Sequence, residues 1–190
     1  WSCQRALPGN YQVTLQPESV LNYNGLWLNV RKTLSTFPRP FYDNKQMKDA
    51  VFSIAYPASP DADLLMASAI VASQFGVINT AKVSQFDVKF NDLPAGNGIV
   101  FGKPGDDIGS VVIEDNNGPS LRIIDNPVNP AYKLLVVSGR NEAELRQAAW
   151  RITQPALPDS DTLQVPAIKI AQRAPYDAPR WVSTAQPVPL

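Results

Sequence analysis

Lys133-Leu134-Leu135-Val136-Val137-Ser138-Gly139-Arg140-Asn141-Glu142-Ala143-Glu144-Leu145 decides the fold. The uncharged run from Leu134 to Ser138 reads as a strand buried on both faces, the kind that parallel sheets use. Gly139 and Arg140 then turn the chain into a helix capped by Asn141, with Glu144 three residues on to complete a capping box. Leu145, Ala148, Ala149 and Ile152 recur at helical spacing and mark the face that docks on a sheet. A buried strand delivered straight into an amphipathic helix belongs to an α/β architecture.

Working towards the N-terminus, Val51-Phe52-Ser53-Ile54-Ala55-Tyr56 is a second compact apolar run, ended by Pro57 as a central strand would be. The helix after it is expected to start with Ser59 as N-cap and Pro60 at the first helical position, with Asp61 and Asp63 complementing the positive end of the dipole. Leu64, Ser68, Val71 and Phe75 share one face, Leu65, Ala69 and Ala72 lie beside it, and Gly76 is placed to close the helix in a left-handed conformation. Val83 to Phe90 alternates as a strand, and Gly98-Ile99-Val100-Phe101-Gly102 is a further buried one. Asp115-Asn116-Asn117-Gly118 lies between Val111-Val112-Ile113 and Leu121-Arg122-Ile123-Ile124, and its Asn-Gly step predicts a tight hairpin.

The order strand, helix, strands, strand, helix spells a small three-layer α/β fold with a mostly parallel sheet. Leu163 to Ile170 is expected to add an edge strand, since Pro166 is tolerated only at an edge or a bulge. Short β-type flanking segments are read at Tyr11 to Leu15 and Leu26 to Val30, separated by the turn-prone Asn22, Asn24 and Gly25.

Composition removes whole classes of function. The 190 residues carry 17 basic and 17 acidic side chains, so no long-range field draws the chain to nucleic acid or to an anionic membrane surface. There is no histidine, which excludes Ser-His-Asp and Cys-His nucleophile pairs, histidine-ligated metals and the usual neutral-pH general base. Cys3 is the single cysteine and can form neither an internal disulfide nor a thiolate cluster. No run of about 18 apolar residues is available to span a bilayer, and Trp-Ser-Cys-Gln-Arg lacks a signal peptide's hydrophobic stretch, so the ends read as those of a piece from mid-protein.

The candidate ligand sites have ordinary readings. Ligands in open α/β sheets gather beyond the carboxyl ends of the strands, but Pro57-Ala58-Ser59-Pro60-Asp61 has two prolines without N–H groups and an acidic residue, which suits no flavin phosphate. Arg140 is placed to take a phosphate at Gly139-Arg140-Asn141, yet Glu142 and Glu144 already occupy that helix terminus, so a turn with a capping box is expected. Gly102-Lys103-Pro104-Gly105 lacks nucleotide-loop spacing and reads as a surface turn. Asp106, Asp107, Glu114 and Asp115 have neither the spacing of a calcium loop nor that of a glycosidase pair, and are read as a solvated hairpin.

Three segments, taken in order, resemble the periplasmic regulatory B subunit of bacterial cellulose synthase. Ser35-Thr36-Phe37-Pro38-Arg39-Pro40-Phe41 is similar to the family's step into a flavodoxin-like domain, and Asn126-Pro127-Val128-Asn129-Pro130 leading into the 133–145 stretch is the strongest match. Ala174-Pro175-Tyr176-Asp177-Ala178-Pro179-Arg180-Trp181 resembles the start of a following carbohydrate-binding module. The resemblance implies the end of a preceding module over residues 1–35, a flavodoxin-like domain over 36–172 and a linker into the next module over 173–190.

It further implies a non-catalytic scaffold that needs no cofactor, stands in the periplasm as part of an inner-membrane-anchored protein, and supports the catalytic subunit. Its implied partners are that subunit, the other domains of its own chain and the emerging glucan, with membrane attachment supplied outside this piece. The family has also been described as binding cyclic di-GMP, although no arginine-rich nucleotide signature stands here. Trp1, Trp27, Trp150 and Trp181, with Tyr23, Tyr56 and Tyr176, are the aromatics able to stack on glucose rings. Trp150 sits on a helix that needs a core stripe and is expected to be buried, while Trp27 and Trp181, in the flanking segments, are the candidates for glycan contact. A flavin- or cyclic di-GMP-binding holoprotein and a stand-alone glycan-binding module are the alternatives.

Overall fold

The computed structural model describes residues 16–18, 20, 22, 24–25, 30–43, 49–79 and 83–166. The flanking strand expected at 11–15, all but Val30 of the one expected at 26–30, the candidates Trp27 and Trp181, and Trp1, Tyr23 and Tyr176 lie outside them. After a 3₁₀ turn at Leu34–Thr36 come β1 (Ala50–Tyr56), α1 (Ala62–Ile78), β2 (Ser84–Phe90), β3 (Gly98–Gly102), β4 (Asp107–Ile108), β5 (Val111–Val112), β6 (Ser120–Asp125), β7 (Lys133–Ser138), α2 (Glu142–Thr153) and β8 (Thr162–Gln164).

Six strands form one sheet in the order β2-β1-β3-β7-β6-β8, while β4 and β5 make a separate antiparallel ribbon. The pairs β1–β2, β1–β3 and β3–β7 are parallel, and β6 is antiparallel to both β7 and β8. The expectation of a mostly parallel α/β sheet therefore holds. Alternation along each strand divides two cores. Phe52, Ile54, Tyr56, Ile99, Phe101, Leu121, Ile123, Leu135 and Val137 meet Leu64, Ala67, Val71 and Phe75 of α1 and Leu145, Ala148, Ala149 and Ile152 of α2. Ala55, Val100, Leu134 and Val136 turn the other way, against Ile108, Val111 and Ile113.

Both helices consequently lie on one face, and the layer on the other face is the β4–β5 ribbon rather than a helix. This corrects the helical layer on each face that the expected three-layer flavodoxin-like arrangement would have, since the third layer among the described residues is the ribbon. The step β1–α1–β2 runs one way along the sheet and β7–α2–β8 the other, so two right-handed crossovers would have put the helices on opposite faces. With both on one face, the crossovers have opposite hands.

Other expectations need local correction. Helix α1 is capped by Asp61, whose side chain accepts from the Leu64 N–H, so Ser59 is not the cap and Pro60 precedes the helix. Gly76 lies inside α1, which continues to Ile78 because Ile78 packs against the core and the Asn79 N–H still reaches the Phe75 carbonyl. The Asn-Gly turn does form, with Asn117 and Gly118 at positive φ, but Val111–Val112 pairs with β4 while Ser120–Asp125 joins the main sheet. Burying Val111 and Ile113 over the second core parts the two arms of the expected hairpin. The edge strand expected over 163–170 is Thr162–Gln164, with 167–170 outside the described residues.

The loops that carried the resemblance are structural joints. Asn126 is fully buried; its amide donates to the Pro94 and Gly96 carbonyls and its oxygen accepts from the Val128 N–H. Lys133, also fully buried, extends its ammonium to Asp125 at 2.9 Å and to the Pro130 carbonyl at 3.1 Å, which satisfies a charge that burial would otherwise penalise. Thr33 ties the N-terminal turn to the far end of the domain through its hydroxyl, which donates to Asp159 at 2.7 Å.

Candidate functional site

The crevice at the carboxyl ends of β1 and β3, where the strand order reverses, is the place such sheets offer a ligand. Here Lys103, just past β3, reaches Asp61 at 2.6 Å and Asp63 at 2.7 Å, both at the start of α1. The hydrogen bond from Lys103 is the first reason the Asp61 carboxyl is held below its usual range, and the same contact raises the Lys103 pKa. The positive end of the helix is thus answered by two carboxylates, and a phosphate arriving there would meet their repulsion. The surface turn expected at Gly102 to Gly105 forms, with the Lys103 N–H donating to Asp106 at 2.7 Å, but Lys103 also closes this crevice.

The second strand-to-helix turn is equally closed. Asn141 caps α2 by accepting from the Glu144 N–H, and Glu144 reaches back to the Arg140 N–H at 2.8 Å rather than to the cap residue's own amide. The Arg140 guanidinium grips the same carboxylate at 2.7 Å, which holds Glu144 below the ordinary carboxylate range. A side chain at Gly139 would place its Cβ 2.7 Å from the Leu145 nitrogen, so only glycine lets strand and helix approach this closely.

The other acidic residues scatter. Asp106 accepts from Lys103, Glu114 pairs with Arg122 at 2.7 Å, and Asp115 accepts from the Asn117 N–H. Among the described residues no group of three or more Asp, Glu, Cys or His could hold a metal ion. Tyr56, one of the candidate glycan aromatics, is buried and donates its hydroxyl to Ser68; burial raises its pKa. Trp150 departs from expectation: it is 45% exposed on the outer side of α2, because the core stripe of Leu145, Ala148, Ala149 and Ile152 leaves it out.

What the sequence reading missed is an apolar flank. Strand β2 pairs only with β1 among the described residues, leaving one edge open. On the helix side of that edge stand Phe86, Val88 and Phe90 at 39%, 42% and 54% exposure, in register with Phe52, Ile54 and Tyr56. Gln74 and Ile78 of α1 line a groove of about 290 Å³ with Ile152 and Thr153 of α2. Helical geometry then turns Leu65, Ala69 and Ala72 to the opposite flank, beside β2, and Leu65 is exposed too. A long apolar open edge is a surface that monomeric proteins avoid unless something pairs with it. Its signal was the alternation of Val83 to Phe90, which marks an apolar face without saying what covers it.

Residues 33–165 match the family model described as cellulose synthase BcsB, first FD domain. The chain belongs to that family. It is 39% identical over 166 residues to the cyclic di-GMP-binding protein of Escherichia coli K12, covering 85% of this chain and 21% of the relative. It is 30% identical over 194 residues to the protein of that name from Pseudomonas fluorescens SBW25, covering all of this chain and 26% of the relative, and 30% identical over 191 residues to that from Komagataeibacter xylinus, covering 99% and 24%. This BcsB-family chain thus spans about a fifth to a quarter of the length of its curated relatives. No helix among its described residues is long and apolar enough to cross a membrane.

Proposed function

We propose that this domain is a non-catalytic scaffold module of the cellulose synthase complex, placed in the periplasm, supporting the catalytic subunit and guiding the nascent β-1,4-glucan. The observation that carries the reading is the open β2 edge with its row of Phe86, Val88 and Phe90 beside the apolar flank of α1, a surface suited to a protein neighbour within the assembly. The two crevices where a sheet of this kind would bind a ligand are closed by ion pairs, which favours protein contacts over chemistry. Attachment to the inner membrane belongs, in this reading, to parts of the parent outside the chain.

The finer assignments are part of the same proposal. A flavodoxin-like kinship is supported by the strand order β2-β1-β3-β7, which reads as the 2-1-3-4 of that fold, despite the difference in crossover hand. Residues 1–35 and 173–190 are assigned to the neighbouring modules and 36–172 to this domain, with Trp27 and Trp181 as glycan contacts in the flanks. The relatives' name raises cyclic di-GMP as a ligand. Every arginine among the described residues is engaged with a carboxylate or a backbone carbonyl, which disfavours it as a nucleotide clamp here.

The test is to place Val88→Lys together with Phe90→Lys in the full-length subunit, using circular dichroism to check that the domain still folds. Loss of co-purification with the catalytic subunit or with neighbouring copies, and a severalfold fall in cellulose output, is expected. Wild-type assembly and output from the folded variant would refute the reading.

A further inference from the structure

Three and four positions either side of Trp150 stand Arg146, Gln147 and Thr153 of α2 and Gln154, the residue that ends it, all polar. At those spacings they surround the indole on the helix surface. Their side chains are held in part: Arg146 leans to Glu142 at 3.5 Å, the Gln147 amide donates to the Pro166 carbonyl, and Gln154 donates to the Thr153 hydroxyl at 3.3 Å. Ala143, two turns back on the same line, leaves room along the helix.

This surface differs in kind from the β2 edge. A protein interface has a contiguous apolar centre with few charges, which β2 and α1 supply and α2 does not. A lone flat ring in a field of planar hydrogen-bonding groups matches a different partner. A β-1,4-linked glucose unit presents apolar C–H faces and a rim of equatorial hydroxyls, so its face suits the indole and its rim suits guanidinium groups, which give hydrogen bonds, and carboxamide groups, which both give and take them.

We infer that Trp150 is a stacking platform for a β-1,4-glucan chain, with Arg146, Gln147 and Gln154 as its hydrogen-bonding rim. The inference rests on the glucan-guiding part of the function proposed above and assigns it to a face that the protein-docking part does not use. Binding at a single exposed ring is weak, of the order of millimolar, as suits a surface along which a polymer must move.

The experiment is a heteronuclear NMR titration of the whole 190-residue chain with cellohexaose, following the Trp150 indole N–H, assigned by its disappearance in Trp150→Phe, and the α2 amides. Saturable shifts centred on Trp150, weakened about tenfold in Trp150→Ala and only a few-fold in Trp150→Phe, are the expected result. Arg146→Ala should weaken binding without moving the amide spectrum of the core. Shifts confined to the indoles of Trp27 or Trp181 would overturn the assignment to α2 while leaving a glucan-guiding role standing. No saturable shift anywhere would remove both that assignment and the glucan part of the proposed function, with the co-purification test on β2 unaffected.

Discussion

Helix α1 carries Leu65, Met66 and Val77 in exposed positions, whereas α2 carries Arg146 and Trp150 there, with Gln154 just past its end. Inward the two are alike. Each lays four or five small and large apolar side chains on the same face of the sheet, each packs against the other, and each is capped by an Asx side chain accepting from an N–H three residues on. The fold therefore constrains one side of each helix and leaves the other free. What stands on the free side is where the two differ, a continuous apolar flank on α1 beside an open strand and an isolated aromatic ring in polar surroundings on α2.

The largest effects should come from the side on which the helices agree. Phe75→Ala, which removes a fully buried ring 4.4 Å from that of Phe52, should cost about 3–5 kcal/mol in urea unfolding, and Leu145→Ala about 2–5 kcal/mol. If either change cost less than about 1 kcal/mol, that helix would not share the core and the equivalence would fail.

The caps give a smaller and more discriminating contrast. Asp61→Ala and Asn141→Ala should each lower stability by about 0.5–2 kcal/mol, the Asp61 change by more because it also leaves Lys103 with Asp63 alone. Equal losses would show that the Lys103 contact adds nothing to capping.

The weakest dependence is on pH. Asp61, Asp125, Glu144 and Asp159 have carboxyls held below their ordinary values, led by hydrogen bonds from Lys103, Lys133, Arg140 and Thr33 respectively. The unfolded chain therefore takes up protons first as pH falls, and this stabilisation, complete above the ordinary carboxylate pKa, is lost as pH drops through the folded values. Thermal melting should be flat between about pH 5 and 8, where no histidine titrates, and should fall below about pH 4. A slope between pH 5 and 8 would contradict these assignments.

Much of this was legible in the residues. The runs at Val51 to Tyr56, Gly98 to Gly102 and Lys133 to Ser138 became the parallel centre of the sheet, and Asn141 with Glu144 marked the start of α2. Trp150 was legible too, and misread: it lies roughly 200° around the helix from Ala148, off the stripe that Leu145, Ala148, Ala149 and Ile152 define. The two arms of the supposed hairpin were misread for another reason. An Asn-Gly turn reports a reversal of the chain but not which strands its arms will join.

By itself the sequence determined the buried central strands β1, β3 and β7, the presence of both helices and where α2 begins, and it showed a chain without histidine and with balanced charge. Those follow from local backbone preferences and from counting. The tertiary structure decided that both helices share one face, that the ribbon covers the other, that Lys103 closes the α1 crevice across some forty residues of chain, and that Phe86, Val88 and Phe90 stand at an open edge. Periodicity specifies the side of an element on which a residue lies. What covers that side depends on partners distant in sequence, which no local pattern encodes.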